Sequence, residues 1–497
     1  MDDNPERTSL GVDQRGLGSK AVRGAVSTVS GQAIRMLLQI GSVIILARLL
    51  TPQDYGLVAM VLAVIGVGEI LRDCGLSPAA IQAEHLSRKM QSNLFWVNSA
   101  IGFVLTIICA ASAPLIAYFY GRSALVFITL AFAPTFLLSG LGTQYRADLT
   151  RRMKFKTLAI TDVGSAALAL LIGIVTAAMG AGYWALVMQQ VSAGVISLVI
   201  TGYAAGWWPT RYDKDENVMP FIRFGISVLS TQVITYATAN IDSVLIGRLY
   251  GAVSAGLYNR GVQLVRMPLR QASAPFATVA LPVLARVRND RPRLLRTLES
   301  AQIAVGYPVL LVVGVVVATS KQSVTLALGS QWVGAAPIVA FIAIGEAVSV
   351  VGTVSYWAFL TLDITDELLR YTIYSSIVRA AMLVVGSFFG VVWVAAAYAA
   401  SQVLFLPFTF WRIQVASGLR TRGLLFNAAR IFAVASIGSL AAALVVRATP
   451  LSQIETILLA LLTQLAVTMV LIFIPPVRRD LQQMSGLMRM LRSKTGT

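Results

Sequence analysis

Residues 22–58, VRGAVSTVSGQAIRMLLQIGSVIILARLLTPQDYGLV, recur 200 positions later as residues 222–258, IRFGISVLSTQVITYATANIDSVLIGRLYGAVSAGLY. Aligned without a gap, the two share nine identities in 37 positions. These are Arg23/Arg223, Ser27/Ser227, Ser30/Ser230, Gln32/Gln232, Ile34/Ile234, Arg48/Arg248, Leu49/Leu249, Gly56/Gly256 and Leu57/Leu257. Each copy opens on an apolar run of membrane-crossing length, set by a bilayer core roughly 30 Å thick. Two such halves in one chain read as a transporter with pseudo-symmetric lobes.

Composition agrees. Of 497 residues, 57% are hydrophobic and 12% charged, which excludes an ordinary soluble enzyme. Fourteen stretches have spanning length: 25–47, 55–71, 94–119, 124–142, 158–179, 182–205, 221–247, 252–284, 301–319, 335–361, 372–389, 391–416, 425–446 and 453–474. Polar residues interrupt the second and eighth. The predicted fold is an all-α integral membrane protein of about 14 transmembrane helices. Two parallel-repeat six-helix lobes surround a central cavity, with two further C-terminal helices. Met1 to Ala21 is polar and lacks an apolar core before a cleavage site, so no signal peptide is expected. Cys74 and Cys109 fall in or beside membrane stretches and suggest neither a disulfide nor a metal site.

The net charge of +18 and pI near 10.3 raise nucleic acid as a partner. Distribution decides against it. Of 40 Lys and Arg, 27 lie in the N-terminal tail, the even-to-odd connections and the C-terminal tail, and five in the opposite connections. Arg146, Arg151, Arg152, Lys154 and Lys156 follow the fourth stretch. Arg286, Arg288, Arg291, Arg293 and Arg296 follow the eighth, and Arg478, Arg479, Arg489, Arg492 and Lys494 close the chain. This is the positive-inside pattern, with both termini cytoplasmic, and the loop charges serve topology and anionic-lipid contact.

An offset of 200 residues spans six crossings, so the repeats are parallel, related by an axis along the membrane normal. The reading gives a cytoplasmic tail at 1–21, an N-lobe at 22–205 and a cytoplasmic linker at 206–220. A C-lobe follows at 221–416, then two extra helices within 417–474 and a basic cytoplasmic tail at 475–497. Thr51, Pro52 and Asp54 read as an N-cap, a first-turn proline and an early acid that start helix 2. No glycine-rich loop ending in Lys-Ser/Thr is visible, so ATP is not expected as the direct energy source.

Ionisable groups at membrane depth are costly and mark pathways. The cations are Arg35, Arg260, Arg266, Arg270 and Arg379. Arg260, Gln263, Arg266 and Arg270 fall within an arc of roughly 120° on one helical face, although Pro268 can bend that face. Three guanidiniums on one stripe suit a diphosphate, each offering a permanently charged fork. Alternatively, the helix lies at the interface and its arginines reach for headgroups. Arg35 has a ligand or a structural partner such as Asp73 or Glu69. The acids are Glu69, Asp73, Asp162, Asp242 and Glu346. Asp242, in Asn240-Ile241-Asp242-Ser243, suits Na⁺ or a proton that couples a gradient to lobe movement, or else a salt bridge to an arginine of helix 8. Glu346 is a similar candidate. Tyr258, Tyr356 and Trp357 pack or stack on sugar rings. A Ser-His-Asp set would need the single His85, which sits in a polar loop, so no enzyme activity is expected.

These residues resemble a known family. Leu46-Ala47-Arg48-Leu49-Leu50-Thr51-Pro52-Gln53-Asp54-Tyr55-Gly56-Leu57 is similar to the helix 1–2 signature of Wzx/WzxC-type polysaccharide flippases. The second half repeats it at Asn240 to Arg248 and Gly256-Leu257-Tyr258-Asn259-Arg260, and Leu281 to Arg286 resembles the close of helix 8. The likeness covers roughly residues 20–415 and implies the multidrug/oligosaccharidyl-lipid/polysaccharide exporter superfamily. It implies a carrier that moves undecaprenyl-diphosphate-linked oligosaccharides from the inner to the outer leaflet of a bacterial inner membrane, for exopolysaccharide or O-antigen-type synthesis. Alternating access around a cationic cavity follows, with a polysaccharide polymerase and export machinery as partners.

On that reading Arg35, Arg260, Gln263, Arg266 and Arg270 grip the diphosphate or sugar. Asp242, with Asn240 and Glu346, binds the coupling Na⁺ or H⁺, and no cofactor is needed. The alternative is an exporter of another soluble or amphipathic substrate, a multidrug-type antiporter. A facilitator-type transporter lacks support, because the helix 2–3 loop reads Arg72-Asp73-Cys74-Gly75-Leu76-Ser77-Pro78. A membrane glycosyltransferase would need long outer loops, and these are short. The halves are chemically unequal: Arg35 aligns with Thr235, and the helix 8 arginines have no counterpart in the N-lobe, which points to lobe two as the main anion-binding side.

Overall fold

The computed structural model describes residues 14–73, 76, 80–81, 86–215, 218–449, 451–480 and 482–483. Cys74, Glu84, His85, Glu216, Arg489, Arg492 and Lys494 lie outside the described residues. The helices are α1 (Gln14–Leu49), α2 (Pro52–Asp73), α3 (Arg88–Tyr120), α4 (Ala124–Phe132), α5 (Pro134–Arg151), α6 (Phe155–Ala178), α7 (Trp184–Ala205) and α8 (Met219–Arg286). They continue as α9 (Arg291–Ala318), α10 (Ser320–Leu328), α11 (Ala336–Thr361), α12 (Thr365–Ser387), α13 (Val391–Ser417), α14 (Arg422–Ala448) and α15 (Gln453–Leu471).

Among the described residues, twelve helical stretches are long and apolar enough to cross a membrane, and they coincide with twelve of the fourteen predicted ones. The other two, 221–247 and 252–284, run together as α8. Asp242, Arg248, Arg260, Arg266 and Arg270 are spaced along that helix and dilute its apolar length. The protein is an all-α, many-span membrane protein.

Helix starts follow local chemistry. Thr51 Oγ1 donates to Asp54 Oδ2 (2.6 Å) and accepts from the Asp54 N–H (3.3 Å), so the predicted cap of α2 is present. Ser87 caps α3 through Met90 N–H, and Asp290 caps α9 through Arg293 N–H.

Two compact units divide the chain, residues 1–240 and 241–497. In the first, α6 packs on α1 and α7, and α5 packs on α3 and α7. The α3–α5 crossing is close because it is floored by glycines. A Cβ at Gly102 would lie 2.6 Å from the Phe136 carbonyl oxygen, and one at Gly140 would lie 2.6 Å from that of Asn98. The linker is strapped to α3: Thr210 N–H donates to Ser92 Oγ (3.1 Å) and Trp96 Nε1 to the Thr210 carbonyl (2.7 Å). Asn93 holds the Asp213 backbone at both its N–H and C=O.

In the second unit α11 packs on α9 and α13, α12 on α13, and α14 on α9 and α15. The two helices beyond the repeat are therefore fastened to α9. Gln464 of α15 fills the space left by Gly314 and Gly438, and Ser439 Oγ donates to the Gly314 carbonyl (2.9 Å). Past α15, the buried carboxylate of Asp480 takes two bonds from Arg430 (2.6 and 2.5 Å) and one from Tyr307 (2.9 Å).

Candidate functional site

The buried polar residues of the second unit form a network that begins at a backbone break. Within α8 only Gly251 leaves helical geometry (φ 77, ψ −174). In an unbroken helix the 16 residues from Asp242 to Tyr258 would span about 24 Å, beyond the reach of two side chains. Yet the Tyr258 hydroxyl donates to Asp242 Oδ2 at 2.7 Å. The turn at Gly251 folds α8 back on itself, and a positive φ of this kind is one that glycine alone adopts without strain. Asp242 is buried, and its Oδ1 accepts from the Ser243 N–H (2.7 Å) and hydroxyl (3.4 Å).

About two turns beyond Tyr258, Arg266 donates from Nε to Glu346 Oε1 at 2.6 Å. Tyr398 of α13 donates to that same oxygen at 2.7 Å, and its ring centroid lies 5.5 Å from the Arg266 guanidinium carbon. Arg266 also acts electrostatically on Asp242. Two carboxylates, one guanidinium and two phenols are thus gathered in a low-dielectric interior, where each unpaired group would be expensive.

The structure distributes the predicted cationic stripe rather than presenting it as three equal forks. Arg260 donates to Gln263, three residues on. Arg266 is on Glu346, and Arg270 is exposed. Asn240 donates to the Tyr236 carbonyl (2.9 Å). Asp242 is held by hydroxyls and an amide rather than by direct ion pairing to an arginine of α8. Tyr356 is exposed and Trp357 buried.

In the first unit the side chain of Asp73 lies outside the described residues, and Arg35 pairs with an acid other than Glu69. It lies 3.5 Å from Asp162, which also takes a two-bond fork from Arg146 (2.7 and 3.3 Å). Arg146 read as a loop charge in the sequence; in the fold it reaches into α6, so this unit has a guanidinium pair of its own. Arg72 donates to Glu69 (3.2 Å) and Thr143 (2.9 Å). Sequence reasoning missed Tyr398, Arg146 and the bond from Tyr258. The signal available was a phenol or guanidinium inside an apolar or small-residue helix, which states a need for a partner but not its identity.

The profile of a family described as polysaccharide biosynthesis protein matches residues 45–337. That stretch holds more than half the chain, including the break at Gly251 and the arginines of α8. The chain belongs to this family. It is 29% identical over 283 residues to the teichuronic acid biosynthesis protein TuaB of Bacillus subtilis, covering 56% of this chain and 58% of that protein. It is 23% identical over 331 residues to the lipopolysaccharide biosynthesis protein WzxC of Escherichia coli, covering 65% and 66%. The succinoglycan biosynthesis transport protein ExoT of Rhizobium meliloti is 23% identical, with 63% of each chain covered. The matches therefore span a little under two thirds of these relatives' own lengths. In fold, the chain superimposes on the lipid II flippase MurJ in an inward closed conformation, with a TM-score of 0.69 and 13% identity over 90% of this chain and 99% of that one. An inward-facing multidrug resistance MATE family transporter of the MOP superfamily gives a TM-score of 0.54 and 14% identity, covering 79% and 98%.

Proposed function

We propose that the protein is a flippase that moves undecaprenyl-diphosphate-linked oligosaccharide repeat units across a bacterial inner membrane, for exopolysaccharide or O-antigen-type synthesis. The observation that carries this reading is the family match over residues 45–337, which joins this chain to proteins named for polysaccharide biosynthesis and transport. The many-span helical fold supports it, since a lipid-linked sugar needs a path for its head while its tail stays in the bilayer. Both termini are cytoplasmic on the arginine and lysine distribution. Two six-helix lobes, 22–205 and 221–416, alternate access.

The diphosphate and sugar engage Arg35, Arg260, Gln263, Arg266 and Arg270, whose guanidiniums remain charged at any accessible pH. Asp242 is the coupling residue for Na⁺ or H⁺, with Asn240 on the same stretch. Its support is burial beside the hydroxyls of Ser243 and Tyr258, in a network whose two acids outnumber its one guanidinium. A polysaccharide polymerase and export machinery act downstream.

Removing the protein from its host, or substituting Arg266→Ala or Arg270→Ala, will accumulate lipid-linked repeat units on the inner leaflet, measured by extraction and mass spectrometry of polyprenyl-linked sugars. Normal export in all three strains overturns the reading. A changed drug susceptibility without that accumulation favours the multidrug-type exporter instead.

A further inference from the structure

The contact between Arg266 and Glu346 is built for release. Glu346 follows Gly345, and a Cβ at Gly345 would lie 2.7 Å from Cε1 of Tyr398. The missing side chain lets the Tyr398 ring settle against α11, where its hydroxyl and Arg266 Nε both bind Oε1 of the carboxylate. Arg266 is therefore held by one nitrogen and one oxygen, unlike the two-bond fork of Arg146 on Asp162. Its side chain keeps 21% of its surface exposed against 9% for Glu346. The Arg266 side chain is the more accessible member of the pair.

A carboxylate and a phosphate oxygen present the same acceptor to a guanidinium. They cannot share Nε, and two like charges beside one cation repel. We propose that Glu346 is an internal occupant of the anion site that sets its selectivity: a ligand must outcompete a tethered monovalent carboxylate for Arg266, which a diphosphate does and a monoanionic phosphodiester does not. The proposal rests on the reading of the substrate as diphosphate-linked. The bilayer around the protein is rich in monoanionic phosphodiester headgroups, so an undefended guanidinium would be occupied by ordinary lipid. Tyr398 acts as a positioning residue that keeps the carboxylate on Arg266. Of the other charged groups in the network, Asp242 adds a second negative charge that further disfavours weak anions.

The test compares two soluble probes, inorganic pyrophosphate and glycerophosphoglycerol, on purified full-length protein in neutral-lipid nanodiscs. Wild type will prefer pyrophosphate. Glu346→Gln will bind the phosphodiester about tenfold more tightly with a smaller gain for pyrophosphate, so the preference collapses. Glu346→Asp will keep the preference. Tyr398→Phe, which retains the ion pair, will shift the ratio the same way by about threefold. Adding Arg266→Gln to Glu346→Gln will remove the gained binding. An unchanged ratio in Glu346→Gln and Tyr398→Phe, an equal loss for both probes, or gained binding that survives without Arg266 overturns the proposal. The ratio is read on isolated protein, so it stands or falls separately from the accumulation of lipid-linked sugars in cells.

Discussion

The two units solve the same electrostatic problem in opposite ways. In the first, one carboxylate, Asp162, serves two guanidiniums whose side chains remain 50% exposed at Arg35 and 41% at Arg146. In the second, Arg266 pairs with the buried carboxylate of Glu346, and Glu346 and the buried Asp242 are each tied down by a phenol, Tyr398 and Tyr258. Exposed pairs are screened and contribute little, whereas a buried network depends on every member being satisfied. The sequence repeat therefore does not carry over to the chemistry of these two clusters. The cluster of the first unit offers accessible positive charge, whereas the buried cluster of the second counts two carboxylates to the one guanidinium of Arg266.

The largest test of this contrast is Asp242→Asn. The substitution keeps the hydrogen-bonding shape near Tyr258 and Ser243 but removes one of the two negative charges. If the acid excess couples a gradient, transport in vesicles will lose its dependence on Na⁺ or proton gradients entirely. Gradient dependence equal to wild type would break the comparison, because the second unit's charge would then be as structural as the first's.

Gly251→Ala comes next. The first unit's pairs lie between whole helices, but the contact of Asp242 with Tyr258 exists only because α8 turns at Gly251. A side chain at φ 77, ψ −174 is strained by about 1–3 kcal/mol. Loss of thermal stability on that scale is expected, together with weakened coupling, while Asp162→Asn should leave coupling intact. A Gly251→Ala protein with wild-type melting and coupling would mean that the break is not what assembles the network.

How far these features were legible in the sequence differs between fold and site. Twelve of the fourteen stretches are spanning helices, and the Thr51–Asp54 cap is where its residues place it, because apolar length and capping are local properties. The cationic stripe was read from helical periodicity alone. Periodicity puts Arg260, Gln263 and Arg266 on one face but carries no information about α11 and α13, which supply Glu346 and Tyr398. Arg35 meets Asp162, which was not among its anticipated partners, for the same reason: α1 packs on α6, a pairing between helices about 120 residues apart in sequence that no local pattern encodes. Gly251 carried a signal that was overlooked. A glycine between two polar-bearing apolar runs marks a turn.

The smallest expected effect tests the exposed side of the comparison. Lys89 Nζ lies 2.8 Å from Asp213 Oδ2 where the linker crosses α3. That hydrogen bond, joined by the Asp215 N–H, holds the Asp213 carboxyl below its ordinary value. A carboxyl whose folded value is depressed contributes stability above its unfolded value and loses it as pH falls through the folded one. The strap should thus be at full strength above about pH 4 and loosen only in stronger acid. Because the pair is solvent-exposed, the effect will be local. Hydrogen exchange of the amides of residues 210–215, compared between wild type and Asp213→Asn at pH 6, should show faster exchange in the variant with an unchanged global melting temperature. A large drop in global stability would mean that the first unit also keeps a charge pair whose loss the fold cannot tolerate, and the contrast between the units would fail at its weaker end.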